Sequence, residues 1–129
     1  MMNTKLLMAS SAIAMGLVGL ALSFAPEDIL RALSLAPDVM SKVALQLMGA
    51  LYLGFAMLNW MAKGALIGGI FAKPISMGNG MHFFIGAMAL IKAASHTTGM
   101  PLLWVAFAIY GLYAFCFLYV AFSAPNKVN

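Results

Sequence analysis

Four long apolar runs carry most of this chain, at about residues 5–24, 43–62, 76–95 and 101–123. All three carboxylates fall between these runs, as do Pro26 and Pro37, while Pro74 and Pro101 stand at the openings of the third and fourth. A bilayer core of roughly 30 Å is spanned by about 20 helical residues, and each run meets that length. Transmembrane strands would need shorter segments of strictly alternating polarity, and none of the runs alternates. The pattern predicts an all-α membrane protein, an up-and-down four-transmembrane-helix bundle forming a single domain over residues 1–129.

The connectors add detail. The first, "APEDILRALSLAPDVMSK", holds two helix openings, "APED" and "APDV". Proline suits a first helical position, and an acidic neighbour complements the positive end of the helix dipole. Between the openings, Ile29, Leu30 and Leu33 oppose Glu27, Asp28, Arg31 and Ser34, which predicts a short amphipathic helix in the membrane interface. The second connector, "KGALIGGIFAKPISMGNG", is glycine-rich and apolar, with lysines near its ends. No strand precedes it and no GxxxxGK[ST] pattern occurs in it, so its glycines do not mark a phosphate loop. The first apolar run is long for a signal peptide, and Pro26 follows its best small-residue exit, so it reads as an uncleaved anchor.

Composition agrees with the pattern. The chain is 64% hydrophobic and 8% charged, with a mean hydropathy of +1.00. Seven Lys/Arg and three Asp/Glu are too few to coat a water-soluble domain. They are also too dispersed to track nucleic-acid phosphates. Lys5, Lys63, Lys73 and Lys127 fall on one side if both termini are cytoplasmic, the arrangement that the positive-inside bias favours.

Helices in lipid associate through close packing and interhelical hydrogen bonds, so small and polar residues mark expected contact faces. Such stripes run through Ala12, Gly16, Gly19 and Ser23, and through Gly49, Ala50, Gly54 and Ala56. On the third helix the stripe is Asn79, His82, Gly86, Ala89, Ala93 and His96, with Lys92 at its edge. Phe83, Phe84, Met88 and Leu90 are expected to point elsewhere. Counting residues from each end places Asn59, Asn79, His82 and Tyr119 at the cytoplasmic depth, where they form a candidate polar cluster. Gln46, Lys92 and His96 fall near the outer ends.

Little of this resembles catalytic chemistry. No carboxylate lies within an apolar run, whereas ion and proton paths use intramembrane ionisable groups. Small multidrug-resistance transporters, also short four-helix proteins, work through a glutamate in their first helix, and none is present here. One cysteine, Cys116, excludes a CxxC pair, and neither HExxH nor GxSxG occurs. Twelve methionines are scattered without a tight MxxM cluster and read as packing residues. His82 and His96 lie about 21 Å apart along a helix and cannot share a metal ion. Their spacing resembles the haem-bearing helices of b-type cytochromes, but the second histidine needed at each level would have to come from a homodimer. The structural reading has His82 hydrogen-bonding to Asn59 or Tyr119, with Lys92 snorkelling toward headgroups near His96.

Residues 45–93, "LQLMGALYLGFAMLNWMAKGALIGGIFAKPISMGNGMHFFIGAMALIKA", resemble small four-helix bacterial integral membrane proteins of unknown function. The resemblance spans about the central third of the chain and rests on "GALYLGFAMLNW" and the Gly-rich turn after it. It implies a bacterial cytoplasmic membrane and brings no activity. The sequence therefore predicts a non-catalytic structural or accessory membrane subunit that needs no cofactor or metal. Its expected partners are the lipid bilayer and a second copy or a larger complex. The alternatives are a carrier for a lipidic or apolar solute, entered beneath the Gly-rich loop, and a haem b-binding electron-transfer dimer using His82 and His96.

Overall fold

The computed structural model describes residues 3–64 and 72–123. The Gly-rich segment 65–71 and the tail from residue 124, with Lys127, lie outside the described residues. Five helices appear among those described: α1 (Thr4–Phe24), α2 (Pro26–Ala32), α3 (Val39–Ala62), α4 (Lys73–His96) and α5 (Pro101–Phe122). The fold is all-α. α1, α3, α4 and α5 are each long and apolar enough to cross a membrane. The chain divides into two compact units on either side of the junction between residues 64 and 65.

Polar caps fix the helix starts of the first unit. The Asn3 side chain accepts from the Leu6 amide at 3.1 Å and opens α1. The Asp38 carboxylate accepts from the Met40 and Ser41 amides at 2.9 and 3.0 Å, satisfying donors that the first helical turn leaves unbonded. The Ser41 hydroxyl also donates to Asp38. α3 therefore begins at Val39, four residues before the apolar run, because the cap sets the start and hydropathy does not.

α1 and α3 pack antiparallel, since contacts climb one helix as they descend the other. Asn59 meets Ser11, Gly16 faces Ala56, and Gly49 meets Gly19 and Ser23. At the tightest point a Cβ on Gly19 would lie 2.9 Å from the Leu53 amide nitrogen and 3.0 Å from the Gly49 carbonyl oxygen. The two backbones touch, which only a glycine pair permits. Gly54 has nothing within 4 Å of its would-be Cβ, and Ala50 is exposed. The contact face of α3 instead runs through Gly49, Tyr52, Leu53, Ala56 and Asn59.

α2 follows α1 after one residue and turns the chain sideways. Pro26 and Leu30 are buried while Glu27, Asp28 and Arg31 are exposed, as expected; Ile29 is only half-buried, and Leu33, expected on the apolar face, is exposed. It ends in a Schellman turn: Ser34 takes φ 58°, its amide donates to Arg31, and the Leu35 amide donates to Leu30, both at 2.9 Å.

In the second unit α4 and α5 are also antiparallel, with Gly80 against Leu118 and Gly86 against Tyr110. Here the expected contact face is corrected. Phe83 is only 2% exposed and sits at the centre, stacked on Tyr113 at 4.8 Å and Phe117 at 5.9 Å, and edge-on to Tyr110 at 5.2 Å. Ala89, Ala93 and His96 are exposed. The buried face runs Asn79, Gly80, Phe83, Ala87 and Ala94, one residue later in register than the small-residue stripe. α5 presents rings at Tyr110, Tyr113 and Phe117, and a large flat partner buries more surface against them than an alanine row does. Gly86 leaves room for the Tyr110 ring, which lies 2.6 Å from where a Cβ would stand.

Candidate functional site

Buried hydrophilic atoms lie inside each unit and bond there. In the first, the Asn59 amide donates to the Ser11 hydroxyl at 3.0 Å and to the Met15 sulfur at 3.8 Å. The Ser11 hydroxyl in turn donates to the Met8 carbonyl at 3.0 Å. Ser11, Met15, Gly19 and Ser23 recur every four residues, so the face that carries this bond was readable in helical spacing. Ser11 was nonetheless not among the expected contact residues.

In the second unit, Asn79 is fully buried, and its amide donates to the Ile75 carbonyl at 2.9 Å, one turn back on α4. Ser76, equally buried, donates to the Lys73 carbonyl at 3.0 Å. His82 is half-buried, its ring edge-on to Phe83 at 5.1 Å and tilted against Tyr110 at 6.0 Å. Tyr119 is 57% exposed and stacks on Phe115. His96 is the exposed last residue of α4. Of the candidate polar cluster, Asn59 thus belongs to the first unit and Asn79, His82 and Tyr119 to the second. Among the described residues no group of three or more His, Cys, Asp or Glu converges as a metal site would require.

Lysines mark the end of α3 and the start of α4. Lys63 Nζ lies 2.9 Å from the centroid of the Trp60 ring, and Lys73 Nζ lies 5.4 Å from that of Phe122. Aromatic and cationic side chains paired this way are at home at the headgroup level.

A second polar locality emerges where α1, α2 and α3 meet. A cleft of about 490 Å³ opens there, with Phe24, Val39 and Val43 as apolar walls and Glu27, Asp28, Lys42 and Gln46 as polar groups. Lys42 Nζ donates to Glu27 at 2.8 Å, and Arg31 reaches the other Glu27 oxygen at 3.7 Å. The Lys42 hydrogen bond, and then its charge, hold the Glu27 carboxyl below its ordinary range. Asp38 is lowered as well, chiefly by its bond from the Ser41 hydroxyl. The sequence offered Glu27 and Lys42 only as loop charges, since nothing in their spacing says that a helix folds back to join them.

The chain matches no known family model, no curated protein and no solved structure.

Proposed function

We propose that this chain is a multi-pass integral membrane protein with a structural or accessory role and no chemistry of its own. Its setting would be a bacterial cytoplasmic membrane, the one that residues 45–93 resemble, with both termini on the cytoplasmic side. The carrying observation is where the buried polar side chains are engaged. Ser11 and Asn59 join α1 to α3, while Ser76 and Asn79 bond back to their own helix. The first pair holds two helices together, and the second two side chains satisfy backbone carbonyls of α4. Their energies are modest, about 0.6 kcal/mol per interhelical hydrogen bond, enough to select a packing.

The first unit taken by itself supports the accessory part of this reading. Leu47, Leu51, Met57 and Met61 stand exposed along α3. Adaptable Met and Leu side chains suit a second copy or another membrane subunit as well as lipid.

The test is purification of the tagged chain from its native membranes in a mild detergent. A second membrane subunit in fixed stoichiometry, or a defined homo-oligomer, is the expected result. Recovery of the monomer with lipid alone, together with solute flux through vesicles containing only this chain, would instead establish the carrier.

A further inference from the structure

The cleft at the mouth of the first hairpin is more than a gap between helices. Its polar members come from two segments brought together by α2, Glu27 and Asp28 on one side, Lys42 and Gln46 on the other. Val39, Lys42, Val43 and Gln46 recur at helical spacing and form one stripe of α3 facing it. At about 490 Å³ its size is that of a small-molecule pocket, roughly 300–1,000 Å³.

Its charges are unevenly used. Lys42 and Glu27 satisfy each other at 2.8 Å, and Arg31 adds to Glu27 from outside the cleft. Asp28 lines the same cleft as an exposed carboxylate, whereas Glu27 is already shared between Lys42 and Arg31. An ammonium retains three N–H donors, of which Glu27 takes one from Lys42. The cleft thus offers an acceptor for a cation at Asp28 and spare donors for an anion at Lys42 and the Gln46 amide. Beside them Phe24, 81% exposed, and Val43 give an apolar wall.

We propose that this cleft seats the headgroup of a zwitterionic phospholipid bearing a primary ammonium, the phosphatidylethanolamine class. The ammonium donates to Asp28, the phosphate accepts from Lys42 and Gln46, and the first acyl carbons lie along Phe24 and Val43. A trimethylated headgroup has no N–H to donate to Asp28. An anionic headgroup has no ammonium to donate to Asp28 and brings like charge beside that carboxylate. The proposal rests on the chain being membrane-embedded, and on neither its orientation nor its accessory role.

The experiment begins with alkaline carbonate washing of membranes that contain the full chain, since release into the supernatant would refute embedding itself. The retained protein is then delipidated in detergent, and its lipid adducts are titrated by native mass spectrometry with phosphatidylethanolamine, phosphatidylcholine and phosphatidylglycerol. One tight phosphatidylethanolamine site is expected. Asp28→Ala, which removes the acceptor as well as the charge, should weaken it by up to roughly fivefold, the range of an exposed ion pair, and erase the preference over phosphatidylcholine. Val43→Trp, which fills the cleft, should lower retention of all three lipids. Equal binding of ethanolamine and choline lipids by the wild type, or an unchanged preference in Asp28→Ala, overturns the proposal. Displacement by soluble phosphorylethanolamine as effectively as by the lipid would reassign the cleft to a soluble ligand.

Discussion

A Cβ added to Gly49 would lie 2.8 Å from the Ser23 amide nitrogen and 2.9 Å from the Gly19 carbonyl oxygen, both backbone atoms of α1. Backbone cannot rotate aside as a side chain can, so Gly49→Ala forces the helices apart. The cost of such overpacking is about 1–3 kcal/mol, only partly offset by the better helix propensity of alanine. Gly54 lies five residues further on with nothing near its would-be Cβ. There the propensity gain stands alone, and Gly54→Ala should stabilise by up to about 1 kcal/mol. Thermal unfolding in detergent micelles checks the pair, and shifts of the same sign would refute the packing of α1 on α3. The Asn59–Ser11 bond is best isolated by a double-mutant cycle with Asn59→Ala and Ser11→Ala. We expect a coupling of about 0.6 kcal/mol and no more than about 1.7. A coupling indistinguishable from zero would remove that bond from the account.

At the scale of helices, α2 is held onto α3 by a device that titrates. The Glu27 carboxyl lies below its ordinary 4.5 because Lys42 hydrogen-bonds it and adds a positive charge; desolvation opposes this, and the Arg31 charge adds a smaller share. A carboxyl depressed in the folded state contributes stability that is complete above its unfolded pKa and is lost as pH falls through the native value. The clip therefore holds at neutral pH and opens in acid, below the ordinary 4.5. Asp38 is likewise held below its ordinary range, so its cap on α3 is also lost in acid. A nitroxide on Leu33→Cys, in a Cys116→Ser background, should become more mobile across that acid window. Glu27→Gln should be mobile throughout and show no step there, and high salt should loosen the wild type by screening the exposed pair. The helices themselves were legible in the sequence, because a run of some 20 apolar residues has few alternatives in lipid. Their facing was not. Phe83 and Phe84 have the same hydropathy, and when both solvent and partner are apolar the rings of α5 decide which one is buried. The cleft was equally invisible, since it joins residues 24–28 to residues 39–46 through a fold-back that no spacing announces.

For the molecule as a whole, the first hairpin carries its charges asymmetrically, and this bears on how it sits in a membrane. Because α1 and α3 are antiparallel, Lys5 and Lys63 share one end, and no Asp or Glu among the described residues stands there. The opposite end holds Glu27, Asp28 and Asp38 against Arg31 and Lys42. Short loops rich in Lys and Arg are retained in the cytoplasm during insertion, so the Lys5/Lys63 end should be cytoplasmic and α2 should lie on the far side. One span, α1, then separates residue 36 from residue 3, and a second, α3, returns residue 64, and with it residue 72, to the side of residue 3. Ala36→Cys and Ala72→Cys, each in Cys116→Ser, should accordingly react with a membrane-impermeant maleimide from opposite faces of intact cells or inverted vesicles. Lys63→Glu should increase the fraction inserted the other way round, because it removes one of the two lysines at that end of the hairpin. Labelling of both positions from one face would mean that α3 does not cross. The lipid-binding cleft would then lose the interfacial depth that gives its charges and its apolar wall a common ligand.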